Sequence, residues 1–307
     1  MAEGKEKSII QVFRGNDTVD GAGVRLRRMF GGHNTAYLTD PFLLLDHFGS
    51  SDPAEYMAGF PWHPHRGIET VTFLMEGKVE HQDSEGHRGT IYPNDIQWMT
   101  AGSGIFHQEM PHALDDRDPS EIMRSTGMST SVVGLQLWIN LPSKYKMTTP
   151  TYRGITGKIT PVVEDDSGNR IRIVAGKYLR DQGYLMGRPE IDPVYLEVKM
   201  PPESEFRYTV ENGHNSIINT LSGDIRTGRE STVIHPRSAV VFSQENDTIT
   251  VKTGDRPARF ILLAGKPIRE PIFWYGPMVM NTREEINQAL QDLQNNTFIR
   301  EKNPITE

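Results

Sequence analysis

The sequence of 307 residues contains no cysteine, and this absence limits the chemistry that the protein can perform. Disulfide bonds, thiolate metal ligands and cysteine nucleophiles are excluded, so histidine, aspartate and glutamate must carry any metal or acid–base chemistry. The sequence also lacks an excess of basic residues, since 33 Lys and Arg stand against 40 Asp and Glu, for a formal net charge of −7. Direct binding to nucleic acid or to an anionic membrane surface is therefore disfavoured, because both need positive charge.

Long hydrophobic runs are absent as well. No stretch approaches the roughly 18 consecutive apolar residues that a transmembrane helix requires. The first residues, MAEGKEKSIIQVFRGND, carry charges without the apolar segment of a secretory signal. The sequence therefore favours a soluble, cytoplasmic protein.

Short runs rich in β-branched and aromatic residues are present throughout the chain. Examples are SIIQVF, FLLLDHF, IETVTFLM, GLQLWINL, VYLEVKM and ARFILLAG, and turn residues separate them. This pattern is typical of an all-β fold. One helix is predicted near the end, where Thr282 and Glu285 have the spacing of a capping box before EEINQALQDLQ.

The two halves of the sequence share a weak internal similarity. EGKVEH followed by GTIYPNDIQW in the first half resembles SGDIRT followed by STVIHPRSAVVF in the second. The order of turn, strand, proline corner and strand predicts a duplicated small β-barrel. We expect a metal-binding module over residues 1–141, a linker over 142–160, and a metal-free module with the terminal helix over 161–307.

Two pairs of potential metal ligands lie in strand-like segments of the first half. His63 and His65 are two residues apart in GFPWHPHRGIETV, and His107 and Glu109 are two residues apart in GSGIFHQEMP. Residues i and i+2 of a strand project from the same face. If the two strands face one another inside a barrel, three imidazoles and one carboxylate converge.

This ligand set suits one divalent ion, with Fe, Mn, Cu, Ni and Zn all compatible with the donors. Four protein ligands on an octahedral ion would leave two positions open for substrate or dioxygen, which favours a catalytic over a structural metal. The alternative is that the pairs are ordinary polar residues, but the occurrence of two pairs argues against it. Glu69 is a fifth candidate ligand, and the alternative is a carboxylate that orients or hydrogen-bonds a histidine ligand. For His81, Asp83 and His87, an exposed polar hairpin is favoured over a second metal site.

Four segments are informative together, namely GFPWHPHRGIETV, GHRGTIYPNDIQWMTAGSGIFHQEMP, GLQLWINLP and the late AGKPIREPIFWYGPMVMNTREEI. In this order they resemble the pirin family of the cupin superfamily. The resemblance covers nearly the whole chain. It implies a bicupin, in which two cupin barrels face each other, with a mononuclear metal ion, usually iron, in the N-terminal barrel. It also implies that the ligands are His63, His65, His107 and Glu109, the same four residues that strand alternation selects.

For function, the resemblance implies a metal-dependent dioxygenase of quercetinase type. Such an enzyme opens the central ring of a flavonol with O2, and the expected products are a depside and carbon monoxide. Glu109 would act as a ligand or as the base that accepts the flavonol proton. The alternative function is a metal- or redox-responsive regulator that binds a transcription or metabolic protein, and the net negative charge suits a protein partner better than DNA.

Overall fold

The computed structural model describes residues 4–115, 130–185 and 187–299. These residues form two compact units, each assembled from separated parts of the chain. The unit that contains the two ligand pairs, here called the histidine unit, comprises the described residues of 16–34, 42–158 and 270–307. The second unit comprises those of 1–15, 35–41 and 159–269.

The histidine unit is built from two antiparallel sheets and a two-stranded ribbon. The seven-stranded sheet has the spatial order β12 (Thr151–Ile155), β9 (Ile96–Thr100), β6 (Ile68–Glu76), β11 (Val133–Asn140), β4 (Phe42–Phe48), β3 (Val24–Gly31) and β2 (Asn16–Asp20). The four-stranded sheet has the order β5 (Phe60–His65), β10 (Ile105–His112), β7 (Lys78–Asp83) and β8 (Arg88–Ile91). The ribbon consists of β25 (Phe273–Tyr275) and β26 (Met278–Met280).

The second unit has the same combination of sheet sizes. Its seven-stranded sheet has the order β1 (Ile9–Phe13), β22 (Ala239–Phe242), β19 (Asn215–Ser222), β24 (Ala258–Gly265), β17 (Val194–Met200), β14 (Arg170–Ala175) and β13 (Val162–Glu164). Its four-stranded sheet has the order β18 (Glu205–Thr209), β23 (Thr248–Lys252), β20 (Ile225–Thr227) and β21 (Thr232–Ile234). Its two-stranded sheet consists of β15 (Lys177–Tyr178) and β16 (Asp181–Gln182). Leu196, Phe206, Ile218 and Phe260 belong to its continuous apolar core. The predicted all-β fold is confirmed.

The described residues include two α-helices, a short α1 (His33–Thr39) and the later α2 (Arg283–Gln294), and two 3₁₀ turns, Pro53–Glu55 and Ser143–Tyr145. The predicted capping box at α2 is confirmed, because Thr282 Oγ1 accepts a hydrogen bond from the Glu285 amide and the Glu285 carboxylate accepts one from the Thr282 amide. Ile286 and Ala289 of α2 pack against Met278 and Phe298. No described helix has the length and apolar character that a membrane crossing requires.

The predicted module boundaries differ from the compact units at both ends of the chain. Residues 4–15 group with the second unit because β1 pairs with β22, and residues 270–299, including α2, group with the histidine unit because they pack on its strands. The predicted linker 142–160 contains β12, which pairs with β9 along its whole length. The boundaries at 141 and 161 therefore stay a prediction about the two sequence modules.

Candidate metal centre

The strands β5 and β10 bring the two predicted ligand pairs together. They are hydrogen-bonded neighbours in the four-stranded sheet, with His63 opposite His107 and His65 opposite Ile105. The sequence pattern predicts strands that face one another inside a barrel, whereas the structure pairs these two strands directly. Since directly paired residues project from the same side of a sheet, the three histidines share one face.

The three imidazole rings form a compact cluster. One ring nitrogen from each of His63, His65 and His107 can be chosen so that all lie within 4.8 Å of one another. The ring centroids are 4.3 Å apart for His63 and His107, and 4.8 Å apart for His63 and His65. His65 and His107 are each only 2% exposed. A group of three donors this compact could hold one metal ion.

Two backbone carbonyl groups determine which nitrogen of His63 and His65 carries the proton. His63 Nδ1 lies 2.9 Å from the Pro61 carbonyl oxygen, and His65 Nδ1 lies 3.2 Å from that of Pro277. Because a carbonyl can only accept a hydrogen bond, Nδ1 is the protonated nitrogen of both neutral rings. The two unprotonated Nε2 atoms then lie 3.1 Å apart with their lone pairs close together, an arrangement that a cation would stabilise.

His107 has neither ring nitrogen hydrogen-bonded within the described part of the chain, although both are buried. An unpaired buried polar atom is costly, so this ring also fits a metal ligand. Burial lowers the pKa of His63 and His107, and burial together with His63 lowers that of His65 to about 3. The rings are therefore neutral at physiological pH, the form that binds metal.

Glu109 lies beside the cluster but is not one of its close donors. The register between β5 and β10 shifts between His107 and Glu109, with the extra residue on β5, so that Glu109 pairs with Phe60. Burial raises the pKa of Glu109 to about 7, while a hydrogen bond from Thr72 Oγ1, 3.2 Å from Glu109 Oε1, opposes that rise. Glu109 lines the same cavity as His63 and His65.

Glu69 is buried and holds β6 to β9. Its carboxylate accepts hydrogen bonds from Trp98 Nε1 at 3.0 Å and Thr100 Oγ1 at 2.7 Å, and it pairs with Arg153 at 3.7 Å. These contacts give Glu69 a role in joining the strands. Its role in orienting a histidine ligand stays a prediction.

The hairpin that contains His81, Asp83 and His87 is less exposed than the sequence predicts. His81 and Asp83 are buried. The Tyr152 hydroxyl hydrogen-bonds His81, and Asp83 accepts hydrogen bonds from the His87 ring and from two turn amides. These side chains are thus bonded within the protein. Over the described ranges, only His63, His65 and His107 form a group of three close metal-ligand atoms.

Residues far along the chain support the cluster and were missed by sequence reasoning. The Pro277 carbonyl orients His65 from 212 positions away. Buried Lys146 donates hydrogen bonds to the Gly67 and Val279 carbonyls and to Asn140. Gly67 has φ of +79°, and a Cβ there would lie 2.0 Å from the Val279 oxygen, so only glycine fits this turn. Because Pro277 and Val279 are far from these residues in the sequence, no local motif indicates the contacts.

A cavity of about 740 Å³ opens from the cluster. Phe60, Trp62, Trp138 and Leu44 contribute apolar surface, and Trp138 contacts the His65 ring edge-on with the centroids 5.0 Å apart. The cavity also contains an ion pair, in which Arg28 donates two hydrogen bonds to Asp46, at 2.9 and 2.8 Å. Its size and apolar lining suit a small aromatic molecule.

Comparison with known proteins gives consistent matches over most of the chain. The Pirin family model matches residues 23–139, and the model of the pirin C-terminal cupin domain matches residues 195–299. A Thermoplasma acidophilum protein with the provisional name quercetin 2,3-dioxygenase is 44% identical over 264 residues, covering 84% of this chain and 99% of that protein. Human pirin is 37% identical over 305 residues, covering 97% of each chain. A crystal structure of quercetin 2,3-dioxygenase from Acinetobacter baumannii has a TM-score of 0.84 and 30% identity, covering 96% of this chain and 99% of that one.

Proposed function

Because this chain belongs to the pirin family and contains two cupin domains, we propose that it is a metal-dependent dioxygenase of quercetinase type. The proposed substrates are a flavonol and O2. The names of the Thermoplasma relative and the Acinetobacter structure support this reaction class. The aromatic lining and volume of the cavity support a flat phenolic substrate.

One observation carries the proposal, namely the 3.1 Å separation of the Nε2 atoms of His63 and His65, whose Nδ1 atoms each face a backbone carbonyl. We propose that His63, His65 and His107 hold one divalent ion, with Glu109 as the fourth ligand. Iron is the first candidate, and Mn, Cu, Ni and Zn are the alternatives. When bound, any of these ions would supply Lewis acidity toward a substrate hydroxyl, and the redox-active ones, which exclude Zn, would also supply the redox chemistry that dioxygen requires.

Glu109 is proposed to hold the proton that the flavonol 3-hydroxyl loses. Burial brings its pKa to about 7, so the carboxylate can accept a proton and release it near neutral pH. Thr72 holds Oε1, whereas Oε2 has no hydrogen-bond partner among the residues described. A carboxylate that coordinates the ion firmly is a poor base, so transfer to Glu109 requires Oε2 to be free of the ion.

The apolar walls have the second task of keeping bulk water from the reacting end of the substrate. Trp138 lies against His65, and Trp274 lies against Trp138 with the ring centroids 5.7 Å apart. The two indoles form a continuous apolar surface beside the histidines. A flavonol ring stacked on that surface would exclude water from the hydroxyl that must be deprotonated.

The test is oxygen uptake with a flavonol by protein reconstituted with each candidate metal. We expect stoichiometric oxygen consumption and ring-opened product. Glu109→Gln keeps the acceptor for Thr72 but cannot take a proton, so we expect at least a hundredfold fall in turnover. Glu80→Gln is the matched control, because Glu80 is an exposed carboxylate on the neighbouring strand β7, opposite Met110.

Unchanged turnover in Glu109→Gln would refute the base role of Glu109. If no candidate metal supports oxygen uptake, the dioxygenase proposal fails. Metal-dependent capture of one protein partner by the same inactive sample would then favour the regulatory alternative.

A further inference from the structure

A row of polar side chains crosses the seven-stranded sheet of the histidine unit. Arg28 of β3 pairs with Asp46 of β4, Asp46 pairs with Gln136 of β11, and Gln136 pairs with Thr72 of β6. Directly paired residues project from one face, so these four residues, here called the polar row, form one line. Neighbouring strands are about 4.8 Å apart, so the row extends over roughly 14 Å.

The inner end of the polar row meets the proposed catalytic carboxylate. Thr72 Oγ1 lies 2.5 Å from Gln136 Oε1 and 3.2 Å from Glu109 Oε1. Gln136 lines the cavity, and its amide nitrogen has no hydrogen-bond partner in the part of the chain that the structure describes. The row therefore provides hydrogen-bonding groups along one side of the cavity.

The outer end of the row carries a net negative charge. Arg28 contacts both Asp46 and Asp20, the latter at 3.1 Å, so one positive charge stands against two negative charges. Burial raises the pKa of Asp46, and its hydrogen bonds and ion pair with Arg28 only partly oppose this effect. A further hydrogen-bond donor at this end would thus stabilise the ionised Asp46, whereas an anionic group would be repelled.

The remaining cavity surface restricts the shape of the ligand. Phe60, Trp62 and Trp138 line the cavity together with Arg28, Asp46 and Gln136. A matching molecule is flat and aromatic, with one polar edge and with neutral hydroxyl donors at the end remote from the histidines. A flavonol with a hydroxylated outer ring has this distribution of groups.

We infer that the Arg28–Asp46 pair determines specificity by receiving phenolic hydroxyls on the outer ring of the substrate. The inference rests on the proposed flavonol binding. The site then prefers a flavonol with a vicinal dihydroxy outer ring to the same flavonol with an unsubstituted outer ring. A hydrogen bond to a charged group contributes about 1.5–3 kcal/mol, so the preference should be tenfold or more in dissociation constant.

The test is calorimetric titration of anaerobic, zinc-loaded protein with the two flavonols. Binding is measured without turnover, and the ratio of the two dissociation constants does not depend on how much of a variant is folded. We expect Asp46→Asn to reduce the ratio to about twofold or less, with binding of the unsubstituted flavonol little changed. Asp20, the second carboxylate that contacts Arg28, is more exposed than Asp46, so Asp20→Asn should reduce the ratio only in part. This variant replaces Asp46→Asn in the test if Asp46→Asn fails to fold.

Asp17→Asn is the matched control. Asp17 pairs with Arg27, one residue before Arg28, and neither side chain lines the cavity. Adjacent residues of a strand project from opposite faces, so the control removes an ion pair from the same two strands without touching the polar row. It should leave the wild-type ratio unchanged.

Equal affinity of the wild type for the two flavonols, or an unchanged ratio in both Asp46→Asn and Asp20→Asn, would overturn the inference while leaving the proposed reaction intact. Failure of both flavonols to bind, together with absent oxygen uptake, would overturn the proposed substrate class and the inference with it.

Discussion

At the residue scale, His107 combines burial with two unpaired ring nitrogens. We predict that His107→Leu leaves the unfolding free energy of the metal-free protein unchanged or raises it by up to about 2 kcal/mol, because the leucine removes unsatisfied polar atoms and retains most of the volume. The same variant should lose the rise in melting temperature that added metal gives the wild type. Melting curves with and without each metal measure both effects.

His112→Leu is the control for this prediction, since His112 lies on the same strand with its side chain 39% exposed. It should keep the response to metal. A metal-dependent rise in melting temperature that persists in His107→Leu would contradict the assignment of His107 as a ligand.

The sequence alone could predict the histidine cluster but not its surroundings. The two-residue spacing of His63 and His65 places them on one face of any strand, and His107 joins them because its strand is the direct neighbour. Glu109 follows His107 at two residues along β10, but an extra residue in β5 places it opposite Phe60, and it is not among the three close donors. The Pro277 carbonyl could not be foreseen, because a backbone oxygen has no residue-type signature.

At the element scale, short apolar runs between turn residues predict the strands reliably. FLLLDHF coincides with β4, and ARFILLAG coincides with β24. The strand β12 was missed, because its sequence TYRGI is short and lies in a stretch rich in turn residues. Its identity comes from pairing with β9, a tertiary contact that overrides local propensity.

Within the second unit, strand β17 carries the buried carboxylate of Glu197 between Arg172 of β14 and Arg259 of β24. Burial alone would raise the pKa of Glu197, but Arg259, Lys199 and Arg172 together lower it below its ordinary value. The ionised form is thus favoured in the folded state. Its contribution to stability is present above the unfolded-state pKa near 4.5 and is lost as pH falls through the folded-state pKa.

We predict that Glu197→Gln lowers the unfolding free energy by about 3 kcal/mol at pH 7, because two arginines lose their buried partner. The difference from the wild type should shrink as the pH falls below about 4.5, because Glu197 of the unfolded chain takes up a proton there before the folded carboxylate does. Urea unfolding at pH 7 and at acidic pH measures both values. Glu205→Gln, which alters a more exposed ion-paired carboxylate on β18, should cost less than about 1 kcal/mol; an equal cost in the two variants at pH 7 would contradict the account.

At the scale of the whole molecule, the duplicated pattern predicts two β modules but not how the chain is shared between the two compact units. β1 pairs with β22, more than 200 residues later, and the last strands and α2 pack in the histidine unit. Hydrophobic periodicity identifies strands and their buried faces. It does not identify which distant strand supplies the partner, so the grouping of the chain termini required the structure.

This interleaving makes the segment 270–299 essential to the histidine unit. Arg66, which is 1% exposed, donates hydrogen bonds to the Asp292 carboxylate at 2.7 Å and to the Phe298 carbonyl at 2.8 Å. Lys146 similarly loses the Val279 carbonyl if the segment is removed. Without the segment, Arg66 would lose both of these acceptors and Lys146 would keep the Gly67 carbonyl and Asn140. Removing acceptors from buried cations is costly.

We therefore predict that a fragment of residues 1–158 neither melts cooperatively nor binds a divalent metal, although it contains His63, His65, His107 and Glu109. Circular dichroism melting and equilibrium dialysis with zinc measure the two properties. A peptide of residues 270–299 added in trans should restore part of both, because it returns the Pro277 carbonyl to His65 and the Asp292 carboxylate to Arg66. A fragment that binds one equivalent of zinc and melts cooperatively without the peptide would show that the ligand strands need no support from the end of the chain.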